Sequence, residues 1–264
     1  MTARSAAINV MTGAARKAAR GLLRDFGEVE QLQVSKKGPG DFVSAADIRV
    51  EKVLRQELQK ARPDYGFLFE ESGVIEGSDR HNVWVVDPLD GTTNFLHGIP
   101  HFAISIGLVR DGEPIAGVVY QPLTDEMFWA EKGNGSFVNE HRLRVSARRK
   151  MDEAVIATGI PHHGRPEHQR FLRQLPAVMD ATSGVRRFGS AALDLAYVAA
   201  GRYEGYWEMG LKPWDIAAGI ILVKEAGGYV SEINGGHDML QSGNVLAAND
   251  HLHLPLGTLL RSAD

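Results

Sequence analysis

The stretch that decides the fold reads Trp84-Val85-Val86-Asp87-Pro88-Leu89-Asp90-Gly91-Thr92-Thr93-Asn94-Phe95. An apolar, β-branched run that starts at Val83 predicts a buried strand, and this strand stops abruptly in two aspartates three positions apart. A glycine and two threonines follow at once, where a turn exposes backbone N–H groups. Carboxylates bind hard cations and exposed N–H groups bind anions, so such a strand end can hold divalent cations and a phosphate side by side.

The composition is that of an ordinary globular protein. The chain has 264 residues, 44% hydrophobic and 23% charged, enough for one large domain or two subdomains with a shared core. Because it has no cysteine, disulfides, thiolate zinc sites and cysteine nucleophiles are excluded, and a reducing cytoplasm is the expected location. No apolar run reaches the length of a membrane span, so we expect no membrane association.

The charge pattern argues against a general nucleic-acid binder, since the formal net charge is -4. One local basic run is interpreted as a solvated connector between two halves of the chain. Its members are Arg142, Arg144, Arg148, Arg149 and Lys150.

Residues 1–24 allow two interpretations. Their basic residues and lack of acids are typical of a transit peptide. An apolar helical face also runs through the segment, so it can equally be the first packed helix, which we favour over residues 4–26. That face is formed by Ile8, Met11, Ala15, Leu22 and Phe26.

Hydrophobic periodicity predicts elements along the rest of the chain. Further helices are expected at 45–61, 166–180, 190–200 and 214–226, the first with Ile48, Val53, Leu54 and Leu58 facing inward. Residues 27–43 are expected to be loop or strand, and strands are expected at 66–69, 83–86, 102–109, 115–120, 127–130, 137–138, 154–158, 203–207, 228–231 and 245–248. Two α/β subdomains that meet near residue 145 are the simplest account.

Four carboxylates stand at the ends of predicted elements, and they are Glu70, Asp87, Asp90 and Asp215. Buried together without a metal they would repel one another and some would stay protonated, so their clustering makes sense mainly if ions bind. Oxygen ligands of this kind suit Mg²⁺. Pro88 fixes the backbone between the two aspartates and can aim the carbonyl of Leu89 at the same ion.

Each acid also has a structural interpretation when it is taken singly. Asp87-Pro88 alone would be a turn, and Glu70 alone would be a solvated loop acid. Asp215 alone would be the N-terminal acid of a helix that begins at Pro213. The full run of residues 84–95 favours the functional interpretation, because a turn does not require two aspartates, a glycine and two threonines in this order.

Four segments together resemble the inositol monophosphatase-like, lithium-sensitive, metal-dependent phosphatases. The segments follow one another in that family's order and extend over most of the chain. They are residues 41–47 (DFVSAAD), 69–72 (FEES), 84–95 (WVVDPLDGTTNF), and 213–219 (PWDIAAG) followed by 225–228 (EAGG). In the first segment, Ser44 replaces the usual threonine. The resemblance implies an α/β layered fold, an alternating αβαβα sandwich of the sugar-phosphatase type. We expect one domain over residues 1–264, with subdomains 1–145 and 146–264 and the active site between them. The resemblance also implies that the protein forms a homodimer, as is usual in the family.

The resemblance also implies the metal ligands. Glu70, Asp87 and the carbonyl of Leu89 would hold a first Mg²⁺. Asp87, Asp90 and Asp215 would hold a second, and a weaker third ion would sit by Glu70. Mn²⁺ is the expected substitute for Mg²⁺, and Li⁺ and Ca²⁺ are the expected inhibitors.

Catalytic and phosphate-binding roles follow from the same resemblance. The catalytic residues would be Glu70, Thr92 and Asp47, with Thr92 donating to Asp47 and, together with Glu70, orienting a metal-activated water for in-line attack. No covalent phospho-enzyme is needed. The phosphate would lie on the N–H groups of Gly91 and Thr92 at the start of a short helix, which agrees with anion binding at helix N-termini. Asp90, Thr93 and Asp215 would adjoin the bound substrate.

Several other residues would bound the substrate or the site. Gly189, Ser190 and Ala191 match the turn that lines the sugar or inositol ring, and Glu208 matches a carboxylate that hydrogen-bonds ring hydroxyls. Lys36 matches a position on a mobile loop. Packing or solvent contact is the favoured interpretation of His97 and His101, whereas His162 and His163 are taken as surface residues near the mouth of the site.

The expected function is Mg²⁺-dependent hydrolysis of a phosphomonoester, with inositol-1-monophosphatase as the leading activity and a small phosphorylated polyol or sugar as the substrate. Alternatives within the same chemistry are fructose-1,6-bisphosphatase, histidinol-phosphatase and 3′-phosphonucleotide phosphatase. A hypothesis of another class is association with RNA polymerase in antitermination, without direct nucleic-acid binding. Nothing in the sequence identifies a surface for that role.

Overall fold

The computed structural model describes residues 4–28, 34–38, 41–161 and 167–264, and for 34–38 and 41–44 it describes the backbone alone. His162, His163 and the side chain of Lys36 therefore lie outside the described part. The helices in these ranges are α1 (Ala6–Gly27), α2 (Ala45–Ala61), α3 (Thr92–Leu96), α4 (His168–Ala181), α5 (Ala191–Ala199), α6 (Pro213–Glu225), α7 (Met239–Ser242) and α8 (His253–Ser262).

The strands form a two-stranded, an eight-stranded and a five-stranded sheet. They are β1 (Val34–Gly38), β2 (Asp41–Ser44), β3 (Tyr65–Phe69), β4 (Gly73–Ile75), β5 (Asp79–Asp90), β6 (Ala103–Arg110), β7 (Glu113–Gln121), β8 (Glu126–Glu131), β9 (Gly135–Val138), β10 (His141–Arg142), β11 (Val155–Thr158), β12 (Gly184–Arg186), β13 (Gly205–Glu208), β14 (Tyr229–Ser231) and β15 (Val245–Ala248).

The eight-stranded sheet has the order β10-β9-β8-β7-β6-β5-β3-β4, and its pairs are antiparallel except β3 with β5. The five-stranded sheet has the order β12-β11-β13-β15-β14, in which β11 runs parallel to both of its neighbours. The first sheet is built before residue 145 and the second after it. The change from one sheet to the other along the chain coincides with the boundary expected near residue 145. The division into subdomains stays a prediction.

The two large sheets and the helices packed against their faces form five layers. Helices α1 and α2 cover the outer face of the eight-stranded sheet through Leu22, Leu54 and Trp84. Helices α5 and α6 lie between the sheets, where one core cluster joins Val119 and Phe128 of the first half to residues of the second. Helices α4 and α8 cover the outer face of the five-stranded sheet around Trp207. The expected αβαβα sandwich is confirmed.

The first helix supports the structural interpretation of the N-terminal segment. Ser5 caps α1 by accepting a hydrogen bond from the N–H of Ile8 over 3.3 Å. The expected apolar face packs into the core, fully at Ile8, Met11, Ala15 and Leu22 and partly at Phe26. None of the helices in the described ranges combines the length and the apolar character that crossing a bilayer requires.

The remaining predicted elements are confirmed to within a few residues, but one inward position is wrong. Ile48 of α2 is 58% exposed, because the buried face of this helix runs through Asp47, Glu51, Leu54 and Leu58. A count of apolar residues misplaces that face, since two acids occupy it. The short elements β4, β10, β12 and α7, and the longer helix α8, have no predicted counterpart.

Candidate active site

Asp87 and Asp90 lie where β5 changes register against β6. Asp87 is opposite Ser105, whereas Asp90 is opposite Ala103, so three steps on β5 match two on β6. Residues three apart in a regular strand point to opposite faces, and the extra residue of this bulge brings both carboxylates to one side. Pro88 tolerates the bulge because it has no N–H to leave unpaired. The N–H of Leu89 donates instead to Oδ1 of Asp87 over 2.8 Å.

Two other elements bring acids to the same point. Glu70 follows β3, which runs parallel to β5, and its N–H donates to the carbonyl of Val86 over 3.2 Å. Asp215 lies in the first turn of α6, where its Oδ2 accepts from the N–H of Lys212 over 2.7 Å. The start of α6 is fastened to β6, since Oγ of Ser105 donates to the carbonyl of Trp214 over 3.2 Å.

The electrostatics show that the acids form one cluster. Burial, and then the charges of Glu70, Asp90 and Asp215, raise the pKa of Asp87 well above its ordinary value. Burial and the charge of Asp90 likewise raise the pKa of Asp215. Among the described residues no lysine or arginine forms an ion pair with Asp87, Asp90 or Asp215. The three aspartates are therefore buried close together without an ion-pair partner among the described residues.

Asp90 also links the two halves of the molecule. Its Oδ2 accepts from Oγ of Ser190 over 2.6 Å and from the N–H of Ala192 over 2.7 Å, at the N-terminus of α5. Burial raises its pKa to about 6, and these hydrogen bonds oppose a larger rise. A carboxylate suits this position because the N-terminal N–H groups of a helix otherwise lack partners.

Helix α3 begins directly after Asp90, at a glycine. Gly91 has φ +95°, and a Cβ there would lie 3.0 Å from the carbonyl oxygen of His101, so another residue would be strained. Thr92, the next residue, has its Oγ1 3.1 Å from Oδ1 of buried Asp47 and 3.0 Å from the carbonyl oxygen of Leu89. Thr93 is exposed.

A cleft of about 330 Å³ opens beside the acid cluster. Its lining residues are Glu70, Asp90, Gly159, Arg187, Gly189, Ser190, Ala191, Glu208, Gly210, Leu211, Lys212, Trp214 and Asp215. Seven of the thirteen are predicted site residues. Asp47, Asp87 and Leu89 lie behind this lining and are buried, while residues 91–93 begin α3 next to Asp90. The predicted residues thus come from both halves of the chain to one cleft.

Several residues of this cleft are not predicted from the sequence. Arg187 and Lys212 add positive charge to a wall otherwise rich in acids. Their one signal is proximity along the chain, since each lies two or three residues from a predicted position. Behind the wall, the hydroxyl of Tyr206 donates to Oε2 of Glu208 over 2.6 Å, and Asp194 is buried nearby.

The histidines near the cleft behave as expected. His97 is exposed at the end of α3, and His101 packs against Phe188 and Tyr197 with ring centroids 5.2 and 6.0 Å away. Burial lowers the pKa of His101 to about 4, so its ring is neutral at physiological pH.

The side chains as they stand do not form a closed cage. In the described part of the chain, no three histidine, aspartate or glutamate side chains enclose a point that would hold a metal ion. Asp87, Asp90 and Asp215 each accept hydrogen bonds from backbone N–H groups, and Asp87 is hydrogen-bonded to Glu70.

A larger depression of about 460 Å³ lies at the other end of α6, beside the β6–β7 turn. Two of its three lining acids are already satisfied, since Glu113 pairs with Lys132 at 2.7 Å and Glu225 accepts from the N–H groups of Gly133 and Gly135. We therefore place the candidate chemistry in the smaller, acidic cleft.

Five layers with an acid-lined cleft define this molecule as a layered α/β protein of the sugar-phosphatase class. The sequence profile of the Inositol monophosphatase family matches residues 4–262, and the chain belongs to that family. The expected membership is confirmed.

Individual relatives are similar over nearly their whole length. An inositol-1-monophosphatase of Mesorhizobium japonicum is 60% identical over 94% of this chain and 93% of its own length. The crystal structure of the extragenic suppressor protein suhB of Bartonella henselae is 56% identical, covers 97% of this chain and 99% of that one, and superposes with a TM-score of 0.95. The Nus factor SuhB of Escherichia coli is 43% identical over 92% of this chain and 91% of its own.

Proposed function

We propose that this chain hydrolyses myo-inositol monophosphates to inositol and phosphate with Mg²⁺ as its cofactor. The observation that carries the proposal is the cluster of buried carboxylates at one end of a cleft, with raised pKa values and no ion-pair partner for its aspartates among the described residues. Acids at such a concentration are stable as anions only when cations join them. Membership of the family and the inositol-1-monophosphatase relatives support the choice of substrate.

The donor set fits a hard divalent cation. Glu70, Asp87, Asp90, Asp215 and the carbonyl of Leu89 offer oxygen ligands only, which is the preference of Mg²⁺. When bound, Mg²⁺ supplies Lewis acidity, which lowers the pKa of water and offsets the charge of the phosphoryl oxygens. Mn²⁺ as a substitute, and Li⁺ and Ca²⁺ as inhibitors, belong to the same proposal.

The remaining site residues bind and orient. The N–H groups that open α3, at Gly91 and Thr92, receive phosphoryl oxygens, as helix N-termini do for anions. Thr92 donates its hydroxyl hydrogen to Asp47, so its oxygen is directed to accept from a water, and Glu70 holds the same water from the other side. The water would attack phosphorus in line and release a proton to solvent in the open cleft, while the P–O ester bond breaks and the leaving alkoxide takes up a proton from solvent.

The far wall of the cleft binds the polyol. Gly189, Ser190 and Ala191 present small side chains and backbone to a ring, and Glu208 accepts hydrogen bonds from ring hydroxyls. A sugar bisphosphate, histidinol phosphate or a 3′-phosphonucleotide would be processed by the same chemistry and differ only in contacts with this wall.

Phosphate release tests the proposal on inositol 1-phosphate, fructose 1,6-bisphosphate, histidinol phosphate and 3′-phosphoadenosine 5′-phosphate, with Mg²⁺, with EDTA, and with Mg²⁺ plus lithium. We expect Mg²⁺-dependent, lithium-sensitive turnover with inositol 1-phosphate preferred. The assay is also run with Asp87→Asn, which changes one acid of the cluster. Its matched control is Asp152→Asn, which makes the same change at an exposed turn. No turnover of any of these by folded, Mg²⁺-loaded protein would refute it.

A second candidate function is association with the transcription machinery, and the similarity to the Nus factor SuhB favours it. It is independent of hydrolysis, so a pull-down of RNA polymerase should give the same result with wild type and with Asp87→Asn. Absence of polymerase from both samples would exclude it. The homodimer that the family resemblance implies is tested separately by sedimentation equilibrium.

A further inference from the structure

Glu208 stands at the end of β13 with a buried tyrosine beneath it. Alternate residues of a strand share a face, so Tyr206 and Glu208 point to the same side and Trp207 to the other. Tyr206 is fully buried in the core cluster between the sheets, whereas Glu208 is half-buried and lines the cleft. The strand therefore places a phenol in the core directly behind a carboxylate of the substrate wall.

The two side chains are joined by a short hydrogen bond. The hydroxyl of Tyr206 donates to Oε2 of Glu208 over 2.6 Å, the length of a bond to a charged acceptor. Burial raises the pKa of Tyr206 well above its ordinary value, so the phenol keeps its proton and remains a donor.

Gly159 limits the carboxylate from another side. It follows β11, the parallel neighbour of β13, and a Cβ on Gly159 would lie 1.9 Å from Cδ of Glu208. The glycine backbone therefore touches the carboxylate, and a side chain there would displace it. Asp194, buried on α5, is a nearby acid whose pKa is raised by burial first and then by the charge of Glu208, so the two carboxyl groups lie close enough to interact.

We propose that Tyr206 and Gly159 hold the Glu208 carboxylate in one orientation, and that Tyr206 is thereby a positioning residue for polyol selectivity. This inference rests on the proposed function, since it assigns Glu208 to the ring hydroxyls. A carboxylate that is already oriented loses less entropy when a polyol binds. Esters without ring hydroxyls gain nothing from that orientation.

The test is Tyr206→Phe, which removes one oxygen and keeps the ring. The specificity constant kcat/KM is measured for inositol 1-phosphate and for phenyl phosphate, which has no ring hydroxyl. We expect the ratio of the two constants to fall about tenfold, chiefly through a higher KM for the inositol ester, because a hydrogen bond to a charged group is lost. Tyr120→Phe is the matched control. The hydroxyl of Tyr120 donates to Oδ1 of Asp125 over 2.8 Å, and this pair lies away from the cleft.

A double-mutant cycle separates positioning from a general structural effect. In a Glu208→Gln background, Tyr206→Phe should change the ratio little, because the charged acceptor is already gone. Gly159→Ala should lower the ratio in the same direction as Tyr206→Phe. An equal loss for both esters, or an effect that persists in the Glu208→Gln background, would overturn the inference.

A crystal structure of Tyr206→Phe provides a readout independent of activity. We expect the Glu208 carboxylate to leave its wild-type orientation, and an unmoved carboxylate would overturn the inference. The proposed function fails in a different way, namely if wild type itself does not hydrolyse inositol 1-phosphate.

Discussion

Asp87 shows at the scale of one residue the property from which we infer that this site binds a cation. It is 2% exposed and senses three other carboxylates, which together with burial raise its pKa. A group in this position costs folding free energy as an anion, and the local hydrogen bond from the N–H of Leu89 offsets only part of that cost. The buried carboxylate of Asp87 therefore does not serve stability, and its position supports the proposal that it binds a cation.

Asp87→Asn should separate activity from stability. We expect kcat/KM to fall by about 10³-fold or more, because Asp87 is a metal ligand in the proposed mechanism. The amide oxygen can still accept from Leu89, and one negative charge leaves the cluster, so the metal-free protein should unfold at the same or a higher temperature. Near-wild-type turnover would show that Asp87 is not a ligand, with Asp152→Asn as the control for the charge change.

Asp194 carries a cost of a related kind. It is 1% exposed, and its Oδ1 has no hydrogen-bond partner among the described residues. Burial first, and then the charges of Glu208 and Asp90, raise its pKa well above the ordinary value. An acid whose pKa is raised in the folded state lowers stability as pH increases above its unfolded pKa.

Asp194→Asn should therefore stabilise the protein at high pH. We expect a gain of about 1–2 kcal/mol in the free energy of unfolding near pH 8 and a smaller gain near pH 5. Urea unfolding at both pH values measures it. A loss of stability at about pH 8 would mean that the ionised carboxylate is compensated in the folded protein.

At the scale of elements, the bulge in β5 and the short helix α3 act together. The bulge turns two carboxylates to one side, and Gly91 then bends the chain so that α3 starts beside them. That bend uses a left-handed backbone and a close approach to the carbonyls of His101 and Gly189. A single backbone conformation at Gly91 thus connects the two carboxylates, which lie on one side, to the start of α3 beside them.

Gly91→Ala tests this junction. We expect the free energy of unfolding to fall by about 1–3 kcal/mol, and kcat/KM to fall more than 10-fold because the N–H groups of α3 move. The matched control is Gly112→Ala, also at positive φ (+82°) but with nothing near its Cβ. It should lose stability through backbone strain alone and keep full activity. Equal effects on activity would contradict the junction's role.

At the scale of the whole molecule, the site exists only because the two large sheets pack through α5 and α6. Asp90 comes from the first sheet, and it caps α5 of the second half. Asp215 comes from α6, which is fastened to β6. Since the acids come from separate elements that packing forces together, cation binding and folding stability should be coupled across the molecule.

The stabilisation by Mg²⁺ should depend on pH. The raised pKa of Asp90, about 6 against an ordinary 3.8, means that metal-free protein loses stability as pH rises through that interval, and Asp87 and Asp215 extend the loss upward. Mg²⁺ competes with protons for the same oxygens, so its increment in Tm should grow from about pH 5 to about pH 8. Thermal unfolding with EDTA and with Mg²⁺ measures this increment. A constant or shrinking increment would contradict the assignment of the cluster to a cation.

Much of the fold could be predicted because local pattern and final packing agree. Helix α6 follows from Pro213 and the apolar run behind it, and the β6–β7 hairpin follows from two apolar strands around a turn. Helix α8 was missed although Leu252, Leu256 and Leu260 are four residues apart, because Pro255 interrupts the local pattern. Ile48 was misplaced because acids occupy the buried face of α2.

The sequence by itself determined the run of residues 84–95, the family to which the chain belongs, and the carboxylates of the site, because these depend on residue types at fixed spacing along the chain. Only the tertiary structure decided that Asp90 caps α5, that Arg187 and Lys212 enter the cleft wall, and that Tyr206 stands behind Glu208. The physical reason is that contacts between residues distant in sequence arise when elements pack, and a periodic pattern records which face is buried but not what it meets.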